Sequence, residues 1–549
     1  YAVVGWIITE ASSVVFPALR LPEWTVTLVV GLLIAGFPIA VVLAWAFDLT
    51  PEGVQRTGPE PRAQGTPAAV ADEPAVASHT TEAARPDDRS LAVIPFANLT
   101  RNPDDDPFVD GLTDELISHL AHIPGIRVSA RTSTFALRDK GLVAQEIGKL
   151  LHVGRLVEGS VRITGERVRL TAHLSDATRG GTVWSETYEM ELDDLFEVQS
   201  RIARSIADRV RPQADSEPNP AERRATTDVR AYAEYARGRY QWNRRTPRRL
   251  RQAIEHFERA IELDPAYAVA YAGLADAHSI LADYGIAEPS ETLERAVDAA
   301  ETAVSLAPEL GECRTALAVA QQLSWEWKRA ERSFRSALDA APSYAVAHQR
   351  FALHLAWLGR GQESVAAIER ALELDPLSPA MQASRGWIHY YGRRYQEAID
   401  ALRSLLEADP DISAALSALG LALGAIGEHG QAVEAHEKAL RSSHRSTASQ
   451  SLLAYALGRA GEAEAAEEIT AELESARSES YVSPYYMALP HLGMGRLDTA
   501  LDHLEEAVRE RSPHLVYANV EPILDSVRPQ PRFLELLTRV GFPKRAVAS

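Results

Sequence analysis

Along the chain the spacing of apolar and polar positions changes several times, and each change predicts a different element. From Thr25 to Phe47 no charged residue occurs, enough for one helix to cross roughly 30 Å of hydrocarbon. Trp24 and Trp45 stand near its ends, where indole rings favour a membrane interface. Pro38 predicts a kink that membrane helices tolerate. Ala2 to Leu19 is a shorter apolar run broken by Glu10, and Pro17, Leu21 and Pro22 mark a tight connection. Residues 1–50 therefore read as a transmembrane helical hairpin. Residues 51–88 lose all apolar period and are rich in Pro, Ala, Glu, Thr and Gly, which predicts a flexible tether.

Residues 89–212 predict a small α/β domain. Leu91–Phe96 is a short strand, and a helix near Val109–His122 places Leu112, Leu116, Ile117 and Leu120 on one face. Pro124-Gly125 turns the chain into a second strand at Ile126–Ser129, and a helix near Leu142–Leu151 follows. Strict alternation in Val161, Ile163, Val168 and Leu170 around Gly165-Glu166 is a hairpin signal. Strands are expected at Arg155–Thr164, Arg167–Asp176 and Thr182–Glu191, with an amphipathic helix over Leu195–Val210. Residues 213–228 form a second linker.

From Val229 the pattern is helical and repeats. Pro265, Pro308, Pro342, Pro376 and Pro410 are 43, 34, 34 and 34 residues apart. Small residues recur on the second helix of each unit, as in Ala253 and Ala260, Ala296 and Ala303, Ala330 and Ala337. Gly386 and Gly420 hold matching tight sites on first helices, and His444 stands in the proline place of the sixth unit. This spacing resembles the tetratricopeptide repeat, in which small side chains let paired helices approach closely. About eight units over 229–549 are expected, as an all-α superhelix with a concave groove and a C-terminal cap near Pro531–Val540. First helices line the groove in that architecture. The resemblance makes Tyr271, His278, Arg314, His348, Gln382 and His389 candidate contacts for a protein or peptide partner. An insertion around Gly285–Pro289 is a second candidate, whereas Trp325 and Trp327 read as packing residues.

The middle domain carries a further resemblance. Ser90–Leu99 (SLAVIPFANL), Phe108–Leu116 (FVDGLTDEL), Val128–Ser133, Leu156–Val161 and Val183–Glu186 follow one another in register. They are similar to the amino-terminal domain of the periplasmic translocation protein TolB. Ala44–Gly53 (AWAFDLTPEG) resembles the membrane region that precedes this domain in bacterial sensor-like proteins. Some members of that group carry a nucleotide-cyclase or winged-helix domain ahead of the membrane segment. The chain opens on Tyr1 and not on methionine, so an upstream output domain is expected in the alternative where this is the regulatory part of a signalling protein. The resemblance brings no catalytic residues.

Composition narrows the function classes. A net charge of -19 argues against a general nucleic-acid binder. Cys313 is the only cysteine, which excludes an internal disulfide framework. The run Asp104-Asp105-Asp106 with Asp110 matches no calcium loop, and His119 and His122 lack further zinc ligands. No phosphate loop or nucleophile–base pair is present. No enzyme activity, cofactor or metal is expected of this segment. The leading expectation is a scaffold or sensory module tethered to a bacterial inner membrane, with its soluble domains in the cytoplasm. A periplasmic envelope assembly factor is the alternative, and homo-oligomerisation stays open.

Overall fold

The computed structural model describes residues 47–50, 53–56 and 89–543, apart from 101, 103–104, 122, 124, 139, 166, 192–194, 211–225 and 227. The expected transmembrane hairpin lies outside the described residues, except for its last positions. There, β1 (Phe47–Thr50) pairs antiparallel with β2 (Gly53–Arg56), Phe47 opposite Arg56. A tether was expected from residue 51, but FDLT alternates apolar and polar residues, which suits a strand, and GVQR pairs with it along its whole length. Among the described residues no helix is long and apolar enough to cross a membrane.

The α/β domain is built on a mixed sheet. Strands β3 (Ser90–Val93), β5 (Arg127–Val128) and β6 (Arg155–Thr164) pair in parallel, and the short β4 (Ala97–Asn98) adds to β6 in the same sense. Strands β7 (Arg167–Asp176) and β8 (Thr182–Glu191) continue from β6 as antiparallel hairpins. The order is β5-β3-β6-β7-β8. Alternation decides the two faces. Val157, Val161, Val168 and Leu170 pack with helices Asp106–Ala121 and Leu195–Val210, while Ala92 and Leu156 face helix Ala144–Leu151 on the other side. The three long strands lie where the alternation predicts them. The short helix Arg131–Phe135 was not anticipated; five residues carry too little periodicity to announce themselves.

Eight helix pairs follow, from Val229–Trp242 with Pro247–Leu263 to Pro484–Gly493 with Leu497–Arg509. The small residues are the contact points: Ala253, Ala260, Ala296, Ala303, Ala330 and Ala337 are all fully buried. Each consensus proline stands just past a helix C-cap, where the helix cannot continue; Asp264 and Asp375, for example, are the C-caps before Pro265 and Pro376. In the sixth unit His444 and Arg445 adopt left-handed φ of 52° and 59°, and Ser446 caps the next helix by accepting from Ser449 N.

Gly386 shows why size matters here. A Cβ at this position would lie 2.5 Å from Leu402 of the paired helix. Gly386→Ala is expected to cost about 1–2 kcal/mol, because overpacking outweighs the gain in helix propensity. A lower thermal midpoint than the parent checks this; an unchanged or higher midpoint would mean the pair separates freely.

First helices of successive units pack against one another more closely than second helices do, so they form the inner face. After the eighth pair come two 3-10 turns, Pro513–Tyr517 and Pro522–Ser526, and helix Pro531–Val540. Phe533 and Leu536 of that helix are buried in the large repeat core, which closes the apolar end of the array. The same segment reaches further than a cap: Trp327 Nε1 donates to Val540 O at 3.1 Å, and its indole stacks on Phe542.

Candidate functional site

Tyr271, Arg314, His348 and Gln382 share one register: each is six residues beyond a consensus proline. Three of them use their side chains to bond that proline's carbonyl. His348 Nε2 donates to Pro342 O at 2.8 Å, Gln382 Nε2 to Pro376 O at 2.9 Å, and Arg314 Nε to Pro308 O. They fasten the turn between units. Tyr271 is half-buried against the apolar cluster of units two and three. His278 is buried, its Nδ1 meets no acceptor or donor among the described residues, and burial pushes its imidazole down to about 4. His389 is half-buried and burial again lowers its pKa. Both rings are therefore neutral near pH 7 and add no positive charge.

The inner face is partly covered by the chain itself at both ends of the first helices. At the N-terminal ends, the α/β domain docks. Ser118 Oγ lies 3.5 Å from Glu312 Oε1, Ser343 Oγ donates to Ala121 O at 3.5 Å, and helix Asp106–Ala121 packs on Val229–Trp242. Asp375 is the centre of this contact. It is fully buried, and its Oδ1 accepts from Ser133 N at 3.0 Å and from Ser133 Oγ, which in turn accepts from Leu377 N at 2.9 Å. Burial raises the Asp375 carboxyl. Among the described residues, the equivalent Asp264 and Asp409 accept from their own turns, Ala266 N and Asp411 N. The repeated Asp-Pro dipeptide is visible in the sequence; its use by Ser133, 242 residues away, is not.

At the opposite ends, the C-terminal segment docks. His514 Nε2 donates to Asp283 O at 2.9 Å, while its Nδ1 accepts from Ser483 and Ser512 hydroxyls at 3.1 Å each. Arg511 donates to Ser324 O at 2.9 Å, and Tyr390 OH donates to Glu521 Oε1 at 2.6 Å. The insertion flagged at Gly285–Pro289 meets this region: a Cβ on Gly285 would lie 3.3 Å from Tyr486.

Between the two docks lies a half-buried polar stripe from the first, second and fourth units. Arg239 and Arg245 stand on the Trp242 indole at 4.5 and 3.6 Å from the ring centroid. Arg239 is 3.8 Å from Asp276, and Arg350 acts electrostatically on both Asp276 and Asp283. Burial lowers the Arg245 guanidinium to about 10 and raises the two carboxyls. Three guanidinium groups thus face two carboxylates whose charge burial disfavours, and Arg239 Nε has no protein acceptor among the described residues. Such a stripe suits an anionic group. The crowding of Arg and aromatic residues between Tyr232 and Arg251 is legible in the sequence, but Asp276, Asp283 and Arg350 join it only through the superhelix.

No family model matches the chain. It is 34% identical over 190 residues to putative adenylate cyclase 3 of Rhizobium meliloti, covering 34% of this chain and 32% of that protein. It is 26% identical over 157 residues to the transcriptional regulator HilA of Salmonella typhimurium, covering 29% and 28%. The chain spans about a third of the length of the curated relatives it matches. Among solved structures, Pseudomonas aeruginosa PilF is 17% identical with a TM-score of 0.31, over 40% of this chain and 94% of that one. Human IFIT1 is 17% identical with a TM-score of 0.40, over 63% and 80%. YrrB, a TPR protein with a peptide-binding site, gives 20% and 0.24, over 34% and 92%.

Proposed function

We propose that this chain is the non-catalytic interaction and regulatory part of a longer signalling protein, tethered to the bacterial inner membrane through residues 1–50. The α/β domain, whose motifs resemble the TolB amino-terminal domain, docks on the repeats and sets which part of their inner face is open. The partner is a protein or peptide that presents a carboxylate to Arg239, Arg245 and Arg350; no direct nucleic-acid contact is involved. The observation that carries this reading is the arginine excess in the stripe left between the two intramolecular docks. The two curated relatives favour regulation, since a similar segment accompanies a putative cyclase in one and a transcriptional regulator in the other.

A photo-crosslinker placed at Tyr284, which is exposed and acts electrostatically on Arg245, with the full gene in its native cells, tests this. The expected result is a discrete protein adduct that disappears in Arg350→Glu, with the fold intact by circular dichroism. An adduct indifferent to Arg350→Glu, or none at all, would overturn the proposed site. The compartment is tested separately by protease accessibility. Protection in cells with cleavage in inverted vesicles favours signalling; cleavage once the outer membrane is opened favours an envelope assembly factor.

A further inference from the structure

We infer that the last helix pair, together with the helix before it, holds a divalent late first-row transition metal through Glu474, His491 and His503. These residues are 17 and 12 apart in sequence, on three successive helices: Ala463–Ala476, Pro484–Gly493 and Leu497–Arg509. No motif spacing joins them. The fold brings one donor atom from each to within 4.8 Å of the others.

Chemistry and burial both select these groups. Two imidazoles and one carboxylate are borderline and hard donors of the kind that bind zinc, cobalt, nickel or copper rather than calcium or magnesium. His491 is 8% exposed, and its Nδ1 is fully shielded and has no hydrogen-bond partner among the described residues. An unpaired buried imidazole nitrogen is costly, and a metal would satisfy it. The His491 and His503 rings lie nearly parallel, 16° apart with centroids 5.4 Å apart.

The geometry needs a small closure. Around a tetrahedral ion with bonds of about 2.0–2.2 Å, donor atoms lie about 3.3–3.6 Å apart. Glu474 is exposed and free to rotate inward. Glu506, whose Oε2 is 3.5 Å from His503 Nδ1, can hold the His503 ring in place or bind the ion directly. Its bond to Arg477 at 2.8 Å fixes that carboxylate. Such an ion would tie together the helices that precede the C-terminal dock, so metal occupancy would be felt at the His514 contact.

The test uses the full chain in detergent, stripped with a chelator and titrated with Zn2+ against a chromophoric competitor. The expected result is one tight zinc per chain, weakened about 10-fold or more in His491→Gln and in His503→Gln, and by a smaller factor in Glu474→Gln. His503→Gln guards against loss of folding, since that ring is less buried than His491. Metal-free wild type and variants should melt alike, with zinc raising the midpoint most in the wild type, less in Glu474→Gln and least in the two histidine variants. Zinc binding of equal strength in the His491→Gln/His503→Gln double variant, or none in the wild type, would overturn the assignment.

Discussion

Asp375→Ala is expected to free the α/β domain from the repeat array and to cost about 2–4 kcal/mol of stability. The magnitude follows from what is left behind. Asp375 is fully buried and receives two hydrogen bonds from Ser133, one from its backbone amide at 3.0 Å. Removal of the carboxylate strands a buried N–H and hydroxyl, and a donor left without an acceptor costs more than the bond contributed. Ser133→Ala removes the hydroxyl and the acceptor for Leu377 N but keeps the amide bond, so its effect should be roughly half as large. Hydrogen exchange separates docking from global unfolding. In Asp375→Ala the amides of residues 131–135 should lose protection while those of β6 and β7 keep theirs. Equal protection of 131–135 in variant and parent would show that the dock does not depend on this carboxylate.

This contact also marks where the sequence stops being readable. The sheet was legible because Val161, Ile163, Val168 and Leu170 alternate strictly on either side of Gly165, whose φ of 61° sets the hairpin turn between two long strands. The helix pairs were legible because close approach admits only small side chains at fixed intervals. The groove was not, for two physical reasons. Arg314, His348 and Gln382 sit at the register where first helices face inward, yet each has a carbonyl six residues back within reach of its side chain. A long polar side chain beside an unsatisfied carbonyl bonds locally before it serves a partner. The second reason is distance: Ser133 with Asp375, His514 with Asp283 and Tyr390 with Glu521 are 242, 231 and 131 residues apart. No periodicity encodes contacts between the ends of a superhelix and its middle. The arginine stripe falls between these cases. Arg239, Trp242 and Arg245 lie within seven positions and stand out as a cluster, while their acidic partners arrive from the next unit.

Glu521→Gln is expected to make the protein more stable than the parent at pH 8, and the advantage should vanish toward pH 4.5. Glu521 is 2% exposed, and burial raises its carboxyl from 4.5 to about 7, although the Tyr390 hydroxyl and the Ile523 amide favour the charged form. A folded-state pKa above the unfolded value means that the native state holds a proton the unfolded chain has released. The stabilisation is complete below about 4.5, declines between 4.5 and 7, and is lost above 7. At about 1.4 kcal/mol per unit, the window is worth roughly 3 kcal/mol. Buried histidines pull the other way. His278, His354, His436 and His514 are each lowered to about 4 by burial, so each loses stability as pH falls from 6.5 toward 4. The parent alone would therefore show a muted profile, and the difference between parent and variant isolates Glu521. Urea midpoints at pH 5, 6, 7 and 8 measure it, with a stability difference that grows by about 2–3 kcal/mol across the series. A difference independent of pH would mean that Glu521 stays ionised in the native state. Tyr390→Phe supplies the internal check: without that donor the charged form loses support, the carboxyl rises further, and the loss of stability extends to higher pH. Because Glu521 lies in the C-terminal dock, between the Tyr390 contact and the Arg393–Asp525 ion pair at 2.6 Å, the same protonation would tighten or loosen the closure over the inner face.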